Sequence, residues 1–498
     1  MAIKSEDDFR RSFDPKHELA PTPVFDYKIP KGVNTFIIVA AQNATPLEED
    51  WWRLLRGMAD LKKAALIVIP LRYKNPTSLW SASQKNAEYW DPELAPFLCS
   101  VRLKLHKHLT VVGDIKIPPT KSSPLSGLDA MSSSDSSIFG HPKLQMRVVP
   151  VPAGRMGKIL TTTGVCTVPN YTDSALGKIG AFHHSYSATL VELDGKRFHL
   201  RQLHYDSHEK RCIDIGTQYL LNGTVVETPA PRALALVQGD LHVGFIDPNV
   251  ERGREDLTKR VRPLLRVWHD VLDSYSCTPH HLGNPFITQT KTAAGRGDVE
   301  AEVAQALDYI RAQREAHPDE CQLLVPSNHD NMLKRWMLRE DWKSMSVSNA
   351  MFYLRLARRM LKGARMEKNG VYYPDPFIML FRDHFPDDWA RALEVDESYT
   401  AGDIELGMHG DIGPNGVRGS RMNLRRIGTK SVIGHGHSPG IEEGCYQTGT
   451  STYLRLEYNH GASGWMNTDC VVNADGKRQL ITYIDGYYTS TQEKKRGR

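Results

Sequence analysis

The sequence predicts an α/β protein in two halves, and three observations carry that expectation. Near the start, two continuous apolar runs, 35–41 (TFIIVAA) and 64–70 (AALIVIP), flank an amphipathic run at 46–63. Fully apolar strands on either side of a helix are the pattern of a parallel βαβ unit covered on both faces. From about 233 to 488, short apolar strands alternate with stretches of helical period. Finally, 498 residues exceed one ordinary core, at roughly 100–200 residues per domain.

Along the chain, each element has its own reason. The turn at 42–46 (QNATP) has no glycine, so the unit around it lacks a dinucleotide fingerprint and reads as structural. The stretch 117–140 is rich in Ser and Pro and poor in large apolar residues, which predicts a mobile loop. Asp194-Gly195 and Asn222-Gly223 sit between apolar runs as hairpin turns. Pro229 and Pro231 then place a boundary near 228–232. A helix is expected over 299–314, with Val299, Val303, Ala306, Leu307 and Ile310 on one face. Another is expected over 346–366, with Leu354, Ala357, Leu361 and Ala364 on one side. Alternation and turn signals make 451–488 a strand region. The resulting plan is an arm at 1–33, an α/β domain at 34–230, a second domain at 231–490 and a basic tail at 491–498.

Composition narrows the class. Lys and Arg number 63 against 58 Asp and Glu, a net charge of +5, with 40% hydrophobic and 24% charged residues. That excludes wholesale disorder and neither demands nor excludes a polyanionic partner. No apolar run reaches the roughly 18 residues of a membrane helix, and the N-terminus lacks the apolar core of a signal peptide. A cytoplasmic location is the default expectation. Seven cysteines without a CxxC argue against a disulfide framework and a thiolate zinc site. Histidines number 20, so any bound metal would have nitrogen and oxygen ligands.

Five segments place Asp, Asn or His just after an apolar strand. They carry Asp240 and His242; Asp270, with Asp273 behind it; Asn328, His329 and Asp330; His409 and Asp411; and His435 and His437. Each alone is an ordinary loop. Together they predict a metal site, because polar groups at the carboxyl ends of neighbouring strands converge on one crevice in α/β sheets. Without thiolates the set suits manganese, iron, zinc or, less well, magnesium.

The order D-x-H, D, N-H-D, H, H-x-H resembles the calcineurin-like metallophosphoesterase superfamily over roughly 233–488. The resemblance implies that the second domain is an αββα sandwich with two divalent metal ions, manganese favoured. It implies that Asp240, His242 and His437 hold one metal, Asn328, His409 and His435 the other, and that Asp270 bridges them, with Asp273 the competing bridge. It assigns His329 to a phosphate oxygen and to protonating the leaving group, with Asp330 orienting the imidazole. Two departures stand beside the ligands: His269-Asp270 where the family has Gly-Asp, and Ser327-Asn328-His329 where it has Gly-Asn-His. The implied enzyme is a dinuclear-metal phosphodiesterase.

Substrate signals lie elsewhere. The run 413–430 (GPNGVRGSRMNLRRIGTK) carries Arg418, Arg421, Arg425, Arg426 and Lys430 without an acidic residue, between two ligand segments. That position predicts contact with backbone phosphates and ranks a DNase first. Further basic clusters lie at 252–266 and 355–368. The runs TFIIVAAQNATP and LIVIPLRYKNPTS, joined to GPNGVRGS, are similar to the large early proteins of certain tailed bacteriophages, implicated in host-DNA degradation and DNA transfer. That likeness implies the host bacterial cytoplasm. Two other readings stay open: a phosphodiesterase or phosphatase on nucleotides or phosphoproteins, and an interaction protein whose N-terminal half binds a host or phage factor. Homo-oligomerisation stays open as well.

Overall fold

A computed structural model describes residues 24–73, 89–281, 284–339, 347–368, 370–457 and 459–492. Most of the expected arm, the end of the LIVIPLRYKNPTS run and the terminal KKRGR lie outside the described residues. What is described is mixed α/β, with sheets of seven, six, ten and two strands.

The first two apolar runs form the strands Thr35–Gln42 and Ala65–Leu71, paired in parallel from Phe36↔Ala65 onward. The helix Glu49–Lys62 connects them. Glu48 caps its first turn by accepting from Trp51 N, and Lys63 closes it in the left-handed region. Its buried face carries Trp51, Trp52, Leu54, Leu55 and Met58 against Ile37, Val39 and Ala41. Phe36, Ile38 and Ala40 point the other way into a second core. Both faces are therefore covered, which is why these strands are apolar throughout. Antiparallel strands from Ser187–Asp194 to Thr224–Pro229 complete the seven-stranded sheet. Both hairpins are present, although the first turn is Gly195-Lys196, one residue beyond the expected pair.

The six-stranded sheet holds Ala235–Val237, Leu265–Trp268, Cys321–Leu324 and Ala390–Ala392 in parallel, with Asn467–Val472 and Arg478–Tyr483 antiparallel. On one face lie the helices Val299–Ala316, Asp330–Leu338, Ala350–Gly363 and Pro376–His384. In Ala350–Gly363 the buried positions are Phe352, Leu356 and Met360, while Leu354 and Leu361 are exposed. The expected apolar side is thus wrong there. Two apolar stripes compete on that helix, and the aromatic one takes the core.

Chain position 230 marks a change of sheet but not a gap in the architecture. The ten-stranded sheet takes Arg102–His106 through Lys158–Thr162 from one side of that position and Thr400–Ala401 through Cys445–Gln447 from the other. The seam is Ile441↔Met146 and Glu442↔Gln145. One core, including Ile38, Ile138, Val237, Val267, Val432 and Tyr446, runs across all three large sheets.

The Ser/Pro-rich stretch also departs from expectation. It is turn-rich, as its composition implies, but Ser136–Phe139 forms an interior strand between Leu109–Val112 and Lys158–Thr162. Ile117, Leu125 and Leu128 pack on Phe139 and Leu160. A few apolar residues spaced along it suffice, because each turn needs only one anchor.

Candidate metal centre

The five polar segments leave five strands and meet. Asp240 and His242 follow Ala235–Val237, Asp270 follows Leu265–Trp268, and Asn328 and His329 follow Cys321–Leu324, three neighbouring parallel strands. His409 follows Ile404–Glu405, and His435 and His437 follow Lys430–Ile433, a parallel pair in the ten-stranded sheet. The carboxyl ends of two sheets thus face one crevice.

Two groupings share Asp270. In the first, His437 Nε2 lies 3.0 Å from Asp240 Oδ2 and 3.2 Å from His242 Nε2, and His242 Nε2 lies 3.7 Å from Asp270 Oδ2. Asp240, His242, Asp270 and His437 are all buried and converge closely enough to hold a metal ion. In the second, Asn328 Oδ1 lies 2.9 Å from His435 Nδ1 and 3.1 Å from His409 Nε2, which is itself 3.4 Å from Asp270 Oδ2. Asp270 therefore sits between the groupings. Asp273 sits behind the first, its Oδ1 2.8 Å from His242 Nδ1, and holds that ring with Nε2 directed inward.

His329 is fixed from two sides. Its backbone N–H donates to Asp270 Oδ1 at 3.1 Å, and its Nδ1 donates to the Asp273 carbonyl at 2.8 Å. Asp330 does not orient this ring, contrary to expectation. It opens the helix Asp330–Leu338 with its carboxylate turned the other way, accepting from Leu272 N and Ser327 Oγ, both at 2.8 Å. The orienting role falls to Asp273, whose position three residues past Asp270 gives no local sign of it.

Electrostatics follow the packing. Burial pushes the imidazoles of His242 and His409 down, but Asp273 and Asp270 outweigh it, raising His242 to about 9 and His409 to about 10. Burial and the Asp270 charge push Asp330 up to about 8, and burial with the nearby His409 lowers His269 to about 4.

The residues fit a cation. Both Asp240 carboxylate oxygens are fully buried without a hydrogen-bond donor, the His437 contact being close but not aligned as a hydrogen bond. Burial pushes this carboxyl up, but His437 and His409 outweigh it and hold it below its usual value, so it stays ionised and open to a cation. Moreover, His242, Asp270, His435 and His437 all have positive φ, a strain of order 1–3 kcal/mol each. Gly434 makes room for the cluster, since a Cβ there would lie 2.3 Å from Asp240 Oδ1. Trp465 braces His437 edge-on at 4.2 Å. Sequence reasoning missed both; the glycines flanking His435 were the available signal.

The expected arginine contacts divide. Arg421 donates to Ser438 O, and Arg425 pairs with Glu442 and Glu443, as Lys430 does with Asp403. Of that run, only the Arg418 and Arg426 side chains stand exposed without an ion pair among the described residues. In the 252–266 cluster, Arg254 and Arg266 are buried against Asp469 and Glu320. Their acidic partners are distant in sequence, so the charge looked free. His184, which follows another histidine in the sequence, is structural, bonded to Tyr171 and Thr167.

Fold and site define a mixed α/β protein with a buried Asp/His cluster able to hold a metal ion. The chain is 27% identical over 469 residues to Protein A1 of Escherichia phage T5, spanning 91% of this chain and 82% of that protein. The likeness supports a bacteriophage origin. No family model matches the chain, and no solved structure matches it. Among the described residues, no helix is long and apolar enough to cross a membrane.

Proposed function

We propose that the protein is a metal-dependent phosphodiester hydrolase, with DNA as substrate and a metallophosphoesterase-type centre of two divalent ions, manganese favoured. The observation that carries this reading is the place of Asp270 between two convergent groupings. Asp240, His242 and His437 would hold one ion, Asn328, His409 and His435 the other, and Asp270 both. Bound there, a metal pair supplies Lewis-acid polarisation of the phosphoryl oxygens and lowers the pKa of water.

The chain's own groups do the rest. Asp273 fixes the His242 ring and, through its carbonyl, the Nδ1–H of His329. Burial lowers the His329 imidazole below its usual value, so its Nε2 would be bare in the resting site and would take up a proton with the bound phosphate before passing it to the leaving oxygen. Arg418 and Arg426 remain for flanking phosphates.

The test is incubation of the purified protein and manganese with linear, circular and single-stranded DNA. Cleavage of at least one is expected, abolished in His329→Ala with metal content retained. Turnover of a chromogenic phosphodiester but no DNA would move the substrate to a small phosphoester. Full activity of His329→Ala would remove that residue from the mechanism.

A further inference from the structure

A cleft of about 720 Å³ opens directly off the second grouping, with Asn328 and His409 in its wall. Its volume lies within the roughly 300–1,000 Å³ of small-molecule sites. Its floor is apolar, formed by the buried Leu324, Phe377, Ile378 and Leu424. Its sides carry carboxylates, among them Asp375, Glu394, Asp396, Glu397, Glu405 and Asp411. Several are fixed in place: Glu405 accepts from Tyr399 N and Gly407 N, and Asp375 from Phe377 N and Ile378 N. Against them stands one permanently cationic side chain, Arg335, beside the Asn328 carbonyl.

The loop expected to grip phosphates contributes here too, but with other residues. Gly413, Pro414, Leu424, Ile427 and Thr429 line the cleft, and none of its arginines does. Glu394 and Glu397 are paired with Arg382 and Arg391, but Asp375, Asp396, Glu405 and Asp411 have no ion pair among the described residues, and a phosphate chain would meet like charge from them. A flat group with an apolar face and N–H donors at its edge would find both surfaces it needs.

We propose that this cleft receives the nucleoside next to the phosphate that is cut, its base on the apolar floor and its amino and hydroxyl donors on the carboxylates. The proposal rests on the phosphodiesterase reading and names the part of the substrate that the acidic side of the centre takes. Backbone phosphates then follow another path, away from the cleft.

Binding to the metal-free protein tests this separately from turnover. Deoxyadenosine and deoxycytidine, titrated in the presence of chelator and followed by saturation-transfer NMR, are expected to bind saturably. Val395→Trp and Ile412→Trp narrow the cleft from half-exposed positions, where added bulk has room toward solvent. Each is expected to weaken nucleoside binding by about tenfold or more. Val226→Trp, on the edge strand Thr224–Pro229 outside the cleft, is expected to leave it unchanged. Unaltered binding in both cleft variants, or binding of spermine in place of the nucleosides, overturns the assignment. Failure of the unsubstituted manganese-loaded protein both to cleave DNA and to turn over bis(4-nitrophenyl) phosphate would instead overturn the underlying reading.

Discussion

Two buried charge clusters in this molecule differ in one respect, closure. In the seven-stranded sheet, Arg201 joins Glu192 and Asp214, and Lys62 adds a second cation to Asp214 at 2.9 Å. Every charge there has a partner, and Thr489 adds a hydroxyl donor to Glu192. At the carboxyl ends of the six-stranded sheet, Asp240 is as deeply buried but has two orphaned oxygens, and its neighbours have strained backbones. Burial alone therefore does not mark a functional site. A closed cluster stabilises the fold it sits in, and an open one is able to take up a cation.

The largest effect expected from that contrast is on the closed cluster. Arg201→Met leaves Glu192 buried without a cation and Asp214 with Lys62 alone, and should lower stability by about 3–5 kcal/mol in calorimetric or denaturant unfolding. Asp240→Asn, at the carboxylate with no hydrogen bond to either oxygen, should lower metal-free stability less; a larger loss than for Arg201→Met would erase the distinction. Next, manganese at a hundred times its Kd should raise unfolding free energy by about 2.7 kcal/mol, and chelator should reverse it. An unchanged Tm on metal addition would leave the open cluster without its completing ion.

Smaller still, Asp273→Ala frees the His242 ring and should weaken manganese binding by about 10–100-fold, measured by titration. Per pH unit, the mildest effect is on pH dependence. Burial pushes the Glu192 carboxyl up, but the Arg201 guanidinium outweighs it and holds it down at about 2. Its stabilisation is complete above its unfolded value near 4.5. It is lost as pH falls toward 2, at no more than about 1.4 kcal/mol per pH unit. Glu192→Gln should flatten that acid limb, read as Tm against pH; an unchanged slope would assign acid sensitivity elsewhere.

Much of the centre was legible because its signals are local. Each of the five polar segments follows an apolar run within a few residues, and that spacing survives folding unchanged. What was not legible depends on pairs far apart in the chain. Asp273 serves His242 across a loop, and Arg425 is neutralised by Glu442 on another strand. Arg254, which read as part of a basic cluster, is buried against Asp469 and steadies the loop that carries Gly239 and Asp240. The acidic cleft was invisible for the same reason, since its carboxylates come from separate segments. The helix Ala350–Gly363 shows the limit of periodicity itself: two stripes satisfied it, and only packing chose between them.

The seam at Ile441↔Met146 sets a timetable for synthesis. Gln145–Val149 pairs on one side with Lys158–Thr162 as soon as both have left the ribosome, but its other edge waits for Gly440–Glu442. At about 5–20 residues per second that wait lasts roughly 15–60 s. Throughout it the nascent chain presents an unpaired strand edge, the kind of surface that recruits chaperones or neighbouring chains. Slower translation between these segments would prolong that exposure, and the yield of native protein should fall with it.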